Sequence, residues 1–161
     1  MKPRIDNPAV AVPDVMHALQ QLAAATTRSG LPEITLLLVE VRASQINGCA
    51  VCLDMHTREL RAAGERDERI NMVAAWREAP YYSDAERAAL ALTEAVTRIA
   101  DSAGGVPDDV WDEAARHYDK AQLGSLVVAI AGINAWNRIN AATRQITGEW
   151  VEKWIATPVA A

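Results

Sequence analysis

Residues 119–146 form the longest run of helical periodicity in the chain. Leu123, Leu126, Ile130, Ile133 and Asn137 recur at spacings of three and four. That spacing places them on one stripe of an α-helix and on no single face of a strand. No segment carries the competing signal: runs of Val, Ile and Tyr with period-2 alternation are missing, and the β-branched residues sit inside Ala- and Leu-rich blocks. Gly and Pro fall between the periodic blocks, as punctuation. Pro3, Pro8 and Pro13 mark the first ten or so residues as an extended arm (1–12). Residues 14–29 then form a helix closed by Gly30. Glu33 to Asn47 forms a second, ended by Gly48, and Cys49 to Ala63 a third, ended by Gly64. A fourth covers 66–78. Ser83-Asp84-Ala85-Glu86 is a capping box opening a fifth. Pro107-Asp108-Asp109 opens a sixth, its acids suited to a positive helix N-terminus, and a short tail helix is expected at 148–156. The expected fold is all-α, a bundle of short antiparallel helices.

The size and charge of the chain narrow the function. Its 161 residues suit a single domain (1–161), and a core of this size folds without a metal or disulfide staple. A net charge of −5 argues against a general polyanion binder, so no nucleic-acid partner is expected. The N-terminus has no apolar run of the kind a secretory signal requires. The longest apolar stretch, Leu126 to Ile133, is far short of a bilayer span. A cytoplasmic chain without a membrane partner is expected. Its only cysteines are Cys49 and Cys52, too few for a disulfide-stapled secreted scaffold.

Those two cysteines carry the chemistry. In Gly48-Cys49-Ala50-Val51-Cys52-Leu53-Asp54-Met55-His56, at about 100° per residue, Cys52 lies roughly 60° and His56 roughly 20° round the helix from Cys49. All three side chains share a face at a helix start. Backbone N–H groups and the dipole there stabilise a thiolate. A nearby imidazole can take the thiol proton. Two cysteines three apart can close a disulfide, one attacking and the other resolving. Two blander arrangements compete: packed core thiols, and a zinc site using Cys49, Cys52 and His56 with a fourth ligand brought by folding, such as His17 or His117.

Other residues are less specific. Glu40 is the one acid in the apolar run Ile34 to Val41. Burial would raise its pKa and suit it to a proton relay; pairing with Arg42, Arg61 or another cation is the alternative. Asn134, Asn137 and Asn140, three apart, either orient site groups or form a polar stripe that sets helix register, and the stripe is the simpler reading. Trp136 reads as core, and Trp150 with Trp154 as one buried or interface face. Arg58 to Arg69 reads as a solvated face and loop, and His17 and His117 as structural residues without an evident partner.

Glu40, Ser44-Gln45-Ile46-Asn47-Gly48-Cys49-Ala50-Val51-Cys52 and His56 together resemble the AhpD-like alkylhydroperoxidases of the carboxymuconolactone decarboxylase superfamily. Ser83 to Glu94 and Ile133 to Arg138 support the likeness, which covers about residues 15–145. The resemblance implies a short, single-domain AhpD-like bundle of about seven to eight helices, assembled as a homo-oligomer (dimer, trimer or hexamer). It implies that the helix pair at 32–64 carries Glu40 and the CxxCxxxH motif. Cys52 would attack the peroxide, His56 would take its proton, Glu40 would polarise or relay through His56, and Cys49 would resolve the sulfenic acid. The decarboxylase branch lacks the CxxC pair, which favours redox over lactone chemistry here.

The expected activity is thus a thiol peroxidase that reduces alkyl hydroperoxides or hydrogen peroxide and is recharged by an external dithiol, with no cofactor and no metal. Alternatives are a protein disulfide reductase, a lactone decarboxylase of the same superfamily, and a non-enzymatic helical binding module.

Overall fold

The structure is a computed structural model that describes residues 2–148 and Val151. Eight α-helices lie among these residues: α1 (Pro8–Ala11), α2 (Val15–Thr26), α3 (Glu33–Asn47), α4 (Ala50–Ala62), α5 (Asp67–Met72), α6 (Asp84–Thr97), α7 (Asp108–His117) and α8 (Lys120–Thr143). Short 3-10 turns follow α2, α5 and α6, and no strand occurs among the described residues. The all-α expectation holds. The expected tail helix, with Trp150 and Trp154, falls outside the described residues.

α3 is the hub. It has no polar face: Leu36, Leu37, Leu38, Val39, Val41, Ala43 and Ser44 are all buried. A helix apolar on every side must be surrounded, and α3 packs against α4, α6 and α8. One cluster joins α3 to α6, α7 and α8 through Val39, Leu92, Ala114, Leu126 and Ile130. A second joins its other side to Leu60, Val73, Trp76 and Leu90. Leu38, Leu60, Leu90 and Leu126 are fully buried, and truncating any of them to Ala should cost about 2–5 kcal/mol. No described helix is long and apolar enough to cross a membrane.

Local sequence sets the helix ends. Ser83 and Glu86 form the expected capping box on α6, and Asp119 with Gln122 forms another on α8. Each such cap is worth about 1 kcal/mol. Leu123, Leu126, Ile130, Ile133 and Asn137 all turn inward along α8, as their spacing requires.

The N-terminal arm departs from expectation. It is not extended throughout: Pro8–Ala11 is a helical turn, because Pro8 suits a first helical position and the Asn7 side chain accepts from the Ala9 N–H. The arm is also tied down. The Arg4 N–H donates to the Thr143 carbonyl, Arg4 Nη1 to the Ala142 carbonyl and Gln145 Nε2 to the Ile5 carbonyl. The segment 66–78 is broken into α5 and a 3-10 turn at Val73–Ala75 rather than one helix.

Candidate functional site

Gly48 builds the site. It ends α3 at φ +66°, a left-handed turn that a residue with a Cβ adopts only at a cost of about 1 kcal/mol. The Gly48 and Cys49 N–H groups both return to the Ser44 carbonyl. The chain therefore reverses within two residues, and Cys49 itself, not Gly48, becomes the N-cap of α4. The Cys52 N–H donates to Cys49 Sγ at 3.4 Å. The benefit of the helix start thus falls on Cys49, where the sequence left it shared by the pair.

Cys49 and Cys52 are unbridged thiols, each 3% exposed, with sulfurs 2.6 Å apart. Together with Ala43, Val51 and Ile133 they form a small apolar cluster against Trp136. The pair holds its two protons very unequally. The hydrogen bond with Cys52 brings the Cys49 thiol down to about 6, whereas the same bond and burial push the Cys52 thiol up. The first proton therefore leaves the pair well below the ordinary thiol range, and the second is shared and strongly held.

His56 completes the group from the next turn of α4. Its Nδ1 lies 2.7 Å from Glu59 Oε2 and 3.3 Å from Glu40 Oε2. Among the described residues its hydrogen-bond partners are these carboxylates and not a sulfur. Burial alone would lower the imidazole pKa, but Glu40 and Glu59 outweigh it and hold it above the ordinary value. Burial raises the Glu40 carboxyl despite the nearby imidazole. Glu40 does not pair with Arg42, which turns to Glu94 instead. With Nδ1 committed to carboxylates, Nε2 is the nitrogen free to exchange a proton. Glu40, His56 and Glu59 could also offer one ligand atom each to a cation, all within 4.8 Å of one another. The sulfurs are not part of that group, so the arrangement of Cys49, Cys52 and His56 around one zinc is not the one formed.

A cavity of about 420 Å³ opens onto Cys52, His56 and Glu40. Met16, Leu19 and Leu22 of α2 form one wall, and Ile133 and Trp136 of α8 form the other. Cys49 is not among its lining residues. Of the two sulfurs, Cys52 is the one a small molecule entering here would meet.

The asparagine stripe supplies both of the roles expected of it. Asn47 Nδ2 donates to Asn134 Oδ1 at 2.9 Å and to Asn137 Oδ1 at 2.8 Å, and Asn137 Nδ2 donates to Ser44 Oγ. These bonds lock α8 to the end of α3, where the sulfur turn begins. Asn140 differs: its Nδ2 donates to Cys52 Sγ at 3.4 Å.

Sequence reasoning missed Glu59, which lies in the stretch taken for a solvated face. Its spacing of i+3 from His56 was the available signal. The same stretch also contains Arg69, whose largely buried side chain pairs with Glu65 and Glu86. His117, read as lacking a partner, lies 3.2 Å from Glu113 Oε1.

Comparison with known proteins identifies the family and the fold. Over 130 residues the chain is 41% identical to the uncharacterized protein YdfG of Bacillus subtilis (strain 168), covering 81% of this chain and 87% of that one. It is 30% identical over 115 residues to the uncharacterized protein YnjA of Escherichia coli (strain K12), covering 71% and 62%. It is similar to the crystal structure of a protein of unknown function from Agrobacterium tumefaciens, provisionally named as the antioxidant defence protein AhpD. That likeness has 39% identity and a TM-score of 0.85, and covers 91% of this chain and 99% of that one. The debrominase Bmp8, solved with 2,3,4-tribromopyrrole, shares the fold at 19% identity and a TM-score of 0.75, covering 91% and 78%. The family model for carboxymuconolactone decarboxylases matches residues 13–95, the span that contains Glu40, both cysteines and His56. By this match and by its relatives, the chain belongs to the carboxymuconolactone decarboxylase family.

Proposed function

We propose that the protein is a thiol-dependent peroxidase acting on organic hydroperoxides through a Cys49–Cys52 dithiol/disulfide cycle. The observation that carries this reading is the placement of Cys52 at the floor of an apolar cavity, with a second sulfur 2.6 Å behind it and a carboxylate-held imidazole beside it.

The cycle balances with these groups. The one proton shared by the two sulfurs moves onto Cys49, which leaves Cys52 as the thiolate, and His56, held above its ordinary value by Glu40 and Glu59, enters the cycle protonated. The thiolate attacks the terminal oxygen of ROOH, and the O–O bond breaks. The departing alkoxide takes the proton from His56 and leaves as ROH. Cys52 now carries S–OH. The Cys49 thiol, at the start of α4 where its ionised form is favoured, loses its proton as it attacks that sulfur. The S–S bond forms, and hydroxide leaves as water with the proton Cys49 gave up. An external dithiol returns two electrons and two protons. Glu40 and Glu59 keep His56 oriented and basic, as carboxylates do behind other working imidazoles.

Burial supports a small substrate over a protein disulfide, because both sulfurs are covered and Cys52 lines the cavity. The mainly apolar walls favour an organic hydroperoxide over hydrogen peroxide. The recharging dithiol must itself be slender enough to enter. Assembly as a homo-oligomer belongs to the same proposal.

The test is turnover of cumene hydroperoxide with dithiothreitol as donor. Cys52→Ser should reduce the rate to the uncatalysed background. A Cys52→Ser protein that keeps its rate would contradict the assignment.

A further inference from the structure

Asn140 contacts the reacting sulfur, and the cycle above does not use it. Asn140 is 5% exposed on α8 and, unlike Asn134 and Asn137, which bond to Asn47, it reaches the N-terminal arm. Nδ2 donates to Cys52 Sγ at 3.4 Å, while Oδ1 accepts from Asn7 Nδ2 at 3.2 Å. Asn7 belongs to the N-terminal arm, far away in sequence.

A primary amide has a donor end and an acceptor end, and the sulfur benefits only from the donor. Something must therefore decide which end faces Cys52. The deciding group is a backbone amide. The Ala9 N–H can only donate, and it donates to Asn7 Oδ1 at 3.0 Å. That leaves Asn7 Nδ2 pointing at Asn140, which must answer with Oδ1 and so turns its own Nδ2 to the sulfur. The polarity of the whole chain, Ala9 to Asn7 to Asn140 to Cys52, follows from one hydrogen that cannot be reversed. The arm is held in place for this by Arg4 and Gln145 against the end of α8.

A thiolate is a strong acceptor and a thiol sulfur a weak one, so a donor aimed at the sulfur favours the ionised form. We propose that Asn140 is a catalytic hydrogen-bond donor to the Cys52 thiolate, and that Asn7, acting through Asn140, is a positioning residue that fixes the direction of its amide. This rests on the reading of Cys52 as the attacking sulfur. The titratable groups around that sulfur are Cys49 at the start of α4, His56 and Glu59 on α4, and Glu40 on α3; from α8 the facing groups are the neutral amides Asn137 and Asn140.

The test is the pH dependence of Cys52 alkylation by iodoacetamide in a Cys49→Ser protein, where one sulfur titrates alone. Asn140→Leu removes the donor without adding charge. It should raise the midpoint by about one pH unit and slow alkylation at pH 7 about tenfold. Asn7→Ser keeps an oxygen to cap α1 but cannot reach Asn140. It should shift the midpoint the same way by about half as much, roughly a threefold loss of rate. Asn7→Ser decides the matter if Asn140→Leu does not fold. Folded variants with an unchanged alkylation profile would overturn the proposal. Peroxide turnover is measured separately with Cys49 present. A shifted profile in a protein that reduces no peroxide would leave this inference standing and defeat the peroxidase reading instead.

Discussion

Two acids, Glu40 on α3 and Glu94 on α6, are both largely buried, yet their surroundings set them to opposite tasks. Glu94 accepts from the Trp76 indole N–H at 2.8 Å and pairs with Arg42 and Arg77, each at 2.7 Å. Burial pushes its carboxyl up, but these donors outweigh burial and hold it below the usual range. Among the described residues Glu40 pairs with His56, and burial keeps its carboxyl above the usual range. A saturated carboxylate stays ionised and serves the fold. A carboxylate balanced between burial and one imidazole can exchange charge with that imidazole and so serves the site. What separates the two is where the cations go: Arg42, on the same helix as Glu40, turns away from it to Glu94.

The difference should appear most strongly when the two acids are neutralised in turn. Glu40→Gln should lower peroxide turnover about 10–100-fold, the usual cost of losing a carboxylate behind a working histidine. It should leave the thermal midpoint unchanged or slightly higher, because the wild-type carboxylate ionises less readily folded than unfolded. Glu94→Gln should do the reverse. It leaves the part-buried Arg42 without its counter-charge and should cost about 3 kcal/mol of stability in urea titrations, while turnover per folded molecule stays within about twofold. A single variant that lost both properties equally would erase the distinction.

Acid provides a second way to separate them. The Glu94 carboxyl is depressed from its ordinary 4.5, so the stability it contributes is present above that value and is lost as pH falls through its folded value. Urea midpoints of the wild type should therefore drop below about pH 4.5, and Glu94→Gln should flatten that drop. Glu40 runs the other way. Its raised carboxyl subtracts stability as pH rises above the ordinary value, so Glu40→Gln should raise the urea midpoint at neutral pH and leave it unchanged in acid. On the sulfur side, alkylation of the wild-type dithiol should rise with pH around a midpoint near the value of about 6 held by Cys49.

The smallest effect should come from the cavity wall. A Cβ at Gly132 would stand 3.7 Å from Leu22 Cδ2, an ordinary contact. Gly132→Ala should fold, narrow the space between α2 and α8, and slow cumene hydroperoxide measurably while leaving hydrogen peroxide nearly untouched. Equal slowing of both would remove the apolar cavity from substrate choice.

Much of this was legible from residue spacing because it is local. Helix ends follow from Gly48 and Ser83-Glu86, each a matter of three or four residues. The closeness of Cys49 and Cys52 follows from their spacing of three at a helix start, although Cys49 stands outside α4 as its N-cap and His56 bonds carboxylates, not a sulfur. What could not be read is what tertiary contact decides. Glu59 lay in a charge-rich stretch and becomes a site residue only because His56 turns its Nδ1 that way. The pairing of Arg42 with Glu94 spans 52 positions, so nothing nearby announced that Glu40 would be left to the imidazole. Asn7 reaches Asn140 across 133 positions. The cavity needs α2 folded over α8, and no spacing within either helix implies that.

The central claim is that the two sulfurs act as one redox unit with Cys52 in front. The most direct measurement is to add one equivalent of cumene hydroperoxide to the reduced protein, count free thiols, and locate the product by peptide mass spectrometry, with dimedone present for the Cys49→Ser protein. The expected result is loss of both thiols to a single Cys49–Cys52 bond in the wild type, and a dimedone adduct on Cys52 when Cys49 is replaced. Two thiols still free, or an adduct absent from Cys52, would contradict it.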